Sequence, residues 1–258
     1  DRLVLPGHHP LHLAPQHMQA HLPDQRILNF GFNAVGFSTA YLEAVEDVLD
    51  PQSARPQIVL CVTPFSFTNW AAESNEFVAR RQERLGWREQ LYYSRPQLSS
   101  GLLYFFEPME PKDLVYGLAP GLKENHYYRH YHADGWVAFD TVIGKPRNEL
   151  EKYITNFSLA QAKDANVQRL LDYVERWHNR GIEVYGLALP TSPEMARIER
   201  DMGELDKEAF AARFNRAGGT WLDFDDHKTY PTFDKNHMSR RGARTFSKEL
   251  ARRIAASD

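Results

Sequence analysis

The sequence predicts an α/β fold: a parallel sheet of about five strands flanked by helices, with one inserted segment. Two observations carry this expectation. Short β-rich apolar runs alternate with long amphipathic stretches, the pattern of βαβ units. Outside one long interval, the connections between these runs are short. A length of 258 residues fits one large α/β domain, or one domain carrying a sizeable insertion.

The elements follow in chain order. Leu3 to Leu5 is the first apolar run. Arg26 to Phe30 is the second and leads into Gly31-Phe-Asn-Ala34-Val-Gly36. A helix is expected from Thr39 to Leu49, with Leu42, Val45 and Leu49 on one face and Ser38 as its N-cap. Ile58 to Val62 is the third strand, stopped by Thr63-Pro64. Gln161 to Asn179 reads as a helix with Val167, Leu170, Leu171, Val174 and Trp177 in register. The fourth strand runs from Ile182 to Leu189 and stops at Pro190. One helical stretch is expected from Ser192 to Arg216, then a short strand from Thr220 to Asp223. Ser239 is a suitable N-cap for a closing helix reaching Ala255. Sheets of this kind place their sites at the carboxyl ends of the strands.

Between Phe67 and about Thr155 the rhythm breaks. The interval holds a charged helical stretch from Glu73 to Glu89, the patch Leu102-Leu-Tyr-Phe-Phe106, and the run from His126 to Trp136. An interval of this length needs structure of its own. The expectation is therefore one domain over 1–258 with residues 68–155 as an insertion or cap within it. Its aromatic runs suit either the insertion's own core or a sugar-stacking surface.

Composition narrows the function classes. With 42% hydrophobic and 25% charged residues the chain has the make-up of an ordinary globular protein. A net charge of -3 gives no electrostatic reason to expect nucleic acid as a partner. No stretch approaches the ~20 apolar residues of a membrane span. The lone Cys61 lies in an apolar run, which rules out an internal disulfide and suits a small buried hydrophobe. The chain opens at Asp1 directly into strand-like residues, so the expectation is a piece of a longer protein.

The strongest local signal for chemistry is Tyr230-Pro-Thr-Phe-Asp234-Lys-Asn-His237-Met-Ser239-Arg-Arg-Gly242-Ala243. A carboxylate three residues before a histidine, on a loop leading into a helix, can fix the imidazole tautomer. It also supports the charge when the ring accepts a proton. The same spacing also serves as an ordinary hydrogen bond at the start of a helix.

This block resembles the last block of SGNH (GDSL-like) hydrolases, especially cell-envelope members related to alginate O-acetylation and teichoic-acid D-alanylation proteins. There an Asp-x-x-His-Leu-Ser/Asn-x-x-Gly-Ala pattern supplies two members of a Ser-His-Asp triad. Asn29-Phe-Gly-Phe-Asn-Ala34 and Pro56-Gln-Ile-Val-Leu-Cys-Val-Thr-Pro64 resemble the family's second and third blocks. The resemblance implies a flavodoxin-like sheet, His237 as base, Asp234 as its orienter, and an extracytoplasmic location. It also implies an oxyanion or pocket region around Asn33, Ala34, Thr63 and Ser66.

The first block departs from the family. Where the nucleophilic serine belongs, the chain reads Leu5-Pro6-Gly7-His8-His9-Pro10, which puts His8 at the serine's place and offers no hydroxyl. An imidazole cannot simply replace serine in ester exchange, because its acyl adduct is labile and needs its own activating base. Ser38, Ser66, Thr63 and Thr191 are the hydroxyls expected near the same edge, and none sits in a nucleophile elbow.

Three readings follow. The first is a degenerate SGNH-like protein that binds an envelope glycan or an acyl-transfer partner protein. The second is an active carbohydrate O-acyl esterase or O-acetyltransferase. The third is metal binding through His8, His9, His12, His17 and His21, which would need three or four convergent ligands. No cofactor, resident metal or nucleic acid is expected.

Overall fold

The computed structural model describes residues 1–7, 12–32, 34–73, 77, 126–132, 134–143, 150–224 and 230–257. Five strands form the main sheet: β1 (Arg2–Gly7), β2 (Arg26–Gly31), β3 (Gln57–Cys61), β6 (Glu183–Leu187) and β7 (Thr220–Trp221). Their order is β2-β1-β3-β6-β7 and every pairing is parallel. The chain winds outward from β1 to β2, crosses back to β3, and continues through β6 to β7. The reversal therefore lies between β1 and β3, and the crevice at their carboxyl ends is where such sheets bind ligands.

Both faces of the sheet are covered, so the strands read as continuous apolar runs and successive residues serve opposite sides. Leu3, Leu5, Val59, Cys61 and Leu187 face a cluster completed by α1 (Pro15–Gln19) and the terminal helix α8 (Arg240–Ser257). Val4, Ile58, Leu60 and Val184 face the other cluster. That side is built with α2 (Thr39–Asp47), α5 (Asp164–Asn179) and α7 (Lys207–Arg216). Trp177 and Phe246 are fully buried, one on each side. Each large apolar side chain removed from water in this way contributes roughly 1.5–3 kcal/mol. Cys61 is fully buried, and burial pushes its thiol far above the ordinary range, consistent with a packing role.

Ser38 caps α2 as expected, its Oγ accepting from the Tyr41 N–H at 3.3 Å. The single helical stretch expected from Ser192 to Arg216 is two helices, α6 (Pro193–Met202) and α7. The break has local causes. Gly203 closes α6 tightly against Pro64, and Glu204 takes a left-handed φ of 52°. Asp206 then starts a new helix by accepting from the Ala209 N–H at 2.9 Å.

Within the expected insertion, a short helix α3 (Asn69–Glu73) follows a 3-10 turn over Pro64–Phe67. β4 (His126–Tyr131) and β5 (Val137–Ile143) then form an antiparallel hairpin, and α4 (Leu150–Leu159) leads into α5, which returns the chain to the sheet at β6. The patch at 102–106 and most of the charged stretch beyond Glu73 lie outside the described residues. Among the described residues no helix is long and apolar enough to cross a membrane.

Candidate functional site

The carboxyl end of the sheet is tied together by one buried hydroxyl. Tyr41 on α2 accepts the Gly7 N–H at 2.7 Å and donates to the Phe30 carbonyl at 2.6 Å, fixing the ends of β1 and β2 to each other. Gly7 has a φ of 127°, which a residue with a Cβ adopts rarely. His12, further along the chain, is buried at 4% exposure.

The segment from Tyr230 to Ser239 folds back on itself. An isolated bridge pairs Thr232 with Met238, the Phe233 N–H donates to the His237 carbonyl at 2.9 Å, and the Ser239 N–H donates to the Pro231 carbonyl at 2.9 Å. Lys235 sits at the tip with a φ of 72°, and its carbonyl accepts the Ser192 N–H at 2.8 Å, so the loop leaving β6 supports this turn. Gly242, in the first turn of α8, lies against the Pro231 carbonyl, where a Cβ would collide with backbone. These constraints aim Asp234 and His237 at the same point.

Asp234 is 2% exposed and its Oδ2 lies 2.7 Å from His237 Nδ1. Its other oxygen accepts two backbone N–H groups, from His237 at 2.6 Å and Asn236 at 3.0 Å. Burial alone would raise the carboxyl's pKa; the bonds and charge from His237 and the Asn236 N–H outweigh it and hold Asp234 below the ordinary value. A carboxylate kept ionised against Nδ1 fixes the ring tautomer and leaves Nε2 as the proton-accepting atom. A pair held this way is able to take up a proton at Nε2 while the carboxylate supports the charge.

Aromatic rings flank His237. His12, from the segment after β1, has its ring centroid 4.5 Å from that of His237, tilted by 40°. Phe139 on β5 lies 4.9 Å from His12 and stacks on Phe233 at 5.1 Å with an interplanar angle of 5°. Phe233 in turn lies 6.0 Å from His237 at 23°. On the other side Asn236, 1% exposed, places Nδ2 2.6 Å from the Tyr153 hydroxyl of α4 and 3.3 Å from His237 Nε2. The start of the chain, the hairpin, α4 and the final loop therefore converge on one imidazole.

The residues singled out from the sequence fall into three groups. Asp234 and His237 come together as expected. His8 and Asn33 lie outside the described residues. Ala34 takes a left-handed φ of 55° and packs against the cluster of Phe65, Tyr153, Phe157 and Met195, on the same side as Asn236. Thr63 and Ser66 are both buried and their hydroxyls pair at 3.2 Å. The Thr191 hydroxyl donates to the Ser192 carbonyl at 3.4 Å, and Ser38 is committed to its cap. These four hydroxyls serve local structure.

Sequence reasoning missed the roles of His12, Phe139, Tyr153 and Asn236. His12 was visible only as one of several clustered histidines, and Asn236 only as a neighbour inside the Asp–His block. Among the described residues no group of three or more His, Cys, Asp or Glu side chains is arranged to hold a metal ion.

No protein-family model matches this chain, and no curated protein matches it. Solved structures similar to it include two of an M. smegmatis aryl esterase. The inhibitor-bound form is 9% identical over 99% of each chain with a TM-score of 0.45, and the native form 9% over 99% with 0.44. Est24, a carbohydrate acetylesterase from Sinorhizobium meliloti, is 10% identical over 100% of each chain with a TM-score of 0.42. The α/β fold class stands on the strand order and parallel pairing of the sheet itself.

Proposed function

We propose that this chain is an SGNH-hydrolase-like protein that engages an acylated polysaccharide, or a partner acyltransferase, without serine-based acyl transfer. The single observation that carries the reading is the composition of the site. Asp234 and His237, read as orienter and base, lie 2.7 Å apart, while the segment after β1 brings an imidazole, His12, against His237. From His8 to Ala14 that segment contains no serine or threonine. The half-buried Phe139, backed by the buried Phe233 on which it stacks, supplies a flat apolar surface on which a sugar ring or acyl group can lie. Hairpin β4–β5, which contributes Phe139, acts as part of a cap over the site.

A second reading is an active carbohydrate O-acyl esterase or O-acetyltransferase with His237 as base and Asp234 as orienter. The observation in its favour is that Asp234 is held ionised against Nδ1, the state a base of this kind requires.

The two readings separate in one experiment. The protein and its His237→Ala variant are given p-nitrophenyl acetate and an O-acetylated polysaccharide, with ester cleavage and glycan binding both measured. The favoured reading expects glycan binding and no ester turnover above buffer in either protein. Turnover by the wild type that collapses in the variant contradicts it and establishes the second reading.

A further inference from the structure

Asn236 is a buried polar side chain wedged between His237 and Tyr153 of α4. Its Nδ2 lies 2.6 Å from the Tyr153 hydroxyl and 3.3 Å from His237 Nε2, while its Oδ1 is buried without a hydrogen-bond partner among the described residues. Its backbone N–H donates to Asp234 Oδ1 at 3.0 Å, so the residue is pinned to the same carboxylate that orients the ring. A buried amide at hydrogen-bonding distance from a ring nitrogen needs an answer to any change in that nitrogen's role.

The chemistry of an amide supplies one. With the ring proton on Nδ1 and bonded to Asp234, Nε2 is an acceptor and the Asn236 N–H suits it. Once Nε2 takes a proton, two N–H groups face each other and the contact becomes repulsive. A half-turn of the amide about its Cβ–Cγ bond exchanges Oδ1 and Nδ2 with almost no change in volume. The oxygen then accepts from Nε2–H and from the Tyr153 O–H together; the amide N–H groups turn into the buried place Oδ1 held, a cost that the stronger bond to the charged ring offsets.

We infer that Asn236 is a positioning residue for His237, a reversible amide latch that meets the neutral ring with its N–H and the protonated ring with its oxygen. Tyr153, able to donate or accept, follows either orientation. Groups facing the ring among the described residues include Asp234 on the same turn, His12 from the segment after β1, Phe139 from β5 and Phe233. Asp234 and His12 are the titratable members of this set. The inference rests on the reading of His237 as a proton-accepting group, and it holds whether that proton comes from a substrate or from solvent.

The test is a pH titration of the whole protein labelled with 15N in asparagine and histidine, followed by NMR. The Asn236 side-chain amide and the His237 ring nitrogens are expected to change with one shared midpoint. The Asn236 response is expected to vanish in His237→Ala and to shrink in Tyr153→Phe, which keeps the ring and removes the hydroxyl. An Asn236 amide that stays constant while the His237 ring titrates overturns the latch, and so does a response that survives in His237→Ala. A ring that takes up no proton across the titration also overturns it. If a variant fails to fold, the wild-type titration decides alone. No ester or glycan enters this readout, so failure of the proposed function leaves the latch testable, and failure of the latch leaves the binding assay intact.

Discussion

At the scale of single residues, the site depends on Asp234 remaining a carboxylate although it is almost wholly buried. Its pKa is depressed in the folded chain, so its contribution is complete above the ordinary value of 3.8 and is lost as pH falls below that value. Asp234→Asn removes the charge and turns an N–H toward Nδ1, which favours the wrong ring tautomer. We expect this variant to lose about 1–3 kcal/mol at neutral pH. The gap to wild type in chemical denaturation should narrow as pH drops below 3.8; a gap that stays constant through that range contradicts the assignment. Asp234 and His237 could be read from the sequence because three positions separate them on a loop before a helix. His12, Phe139 and Tyr153 could not, because their partners lie far away in the chain and local spacing carries no record of the meeting.

At the scale of elements, the final loop and α8 behave as one unit held by close backbone contact. Gly242 is the hinge of that packing, because any Cβ there would meet the Pro231 carbonyl. Gly242→Ala should cost about 1–3 kcal/mol through the forced shift. Since Pro231 anchors the turn carrying Asp234 and His237, ligand binding should weaken along with the melting temperature. A variant with unchanged stability would show that the loop yields freely. The Gly-Ala pair was visible in the sequence, but its reason is this contact.

Helix α6 holds a different kind of strain. Burial raises the Glu199 carboxyl to about 7 against a weaker pull from Lys207, and its Oε1 has no hydrogen-bond partner among the described residues. A carboxyl raised on folding favours the protonated native state, so stability falls as pH climbs from 4.5 towards 7. Glu199→Gln should therefore stabilise the protein at pH 8 by on the order of 2 kcal/mol and change little at pH 4. Equal effects at both pH values would contradict this. The split of one expected helix into α6 and α7 was hidden from periodicity, because apolar spacing continues across the break and only Gly203, Glu204 and Asp206 mark it.

At the scale of the whole molecule, the five strands were readable because burial on both faces writes each as a short apolar run. Their order was not written in periodicity, which says nothing of which strand neighbours which; the flavodoxin-like sheet implied by the family resemblance has the order observed. The hairpin of β4 and β5 was unexpected because its aromatic and charged residues carry no clear alternation. Fold does not determine chemistry, and the central claim concerns what stands before the base. The most direct measurement is reaction with a fluorophosphonate, which modifies serines activated by a histidine, followed by intact mass and peptide mapping. The account predicts no stoichiometric adduct on wild-type protein. One equivalent on a single serine, lost in His237→Ala, would contradict it.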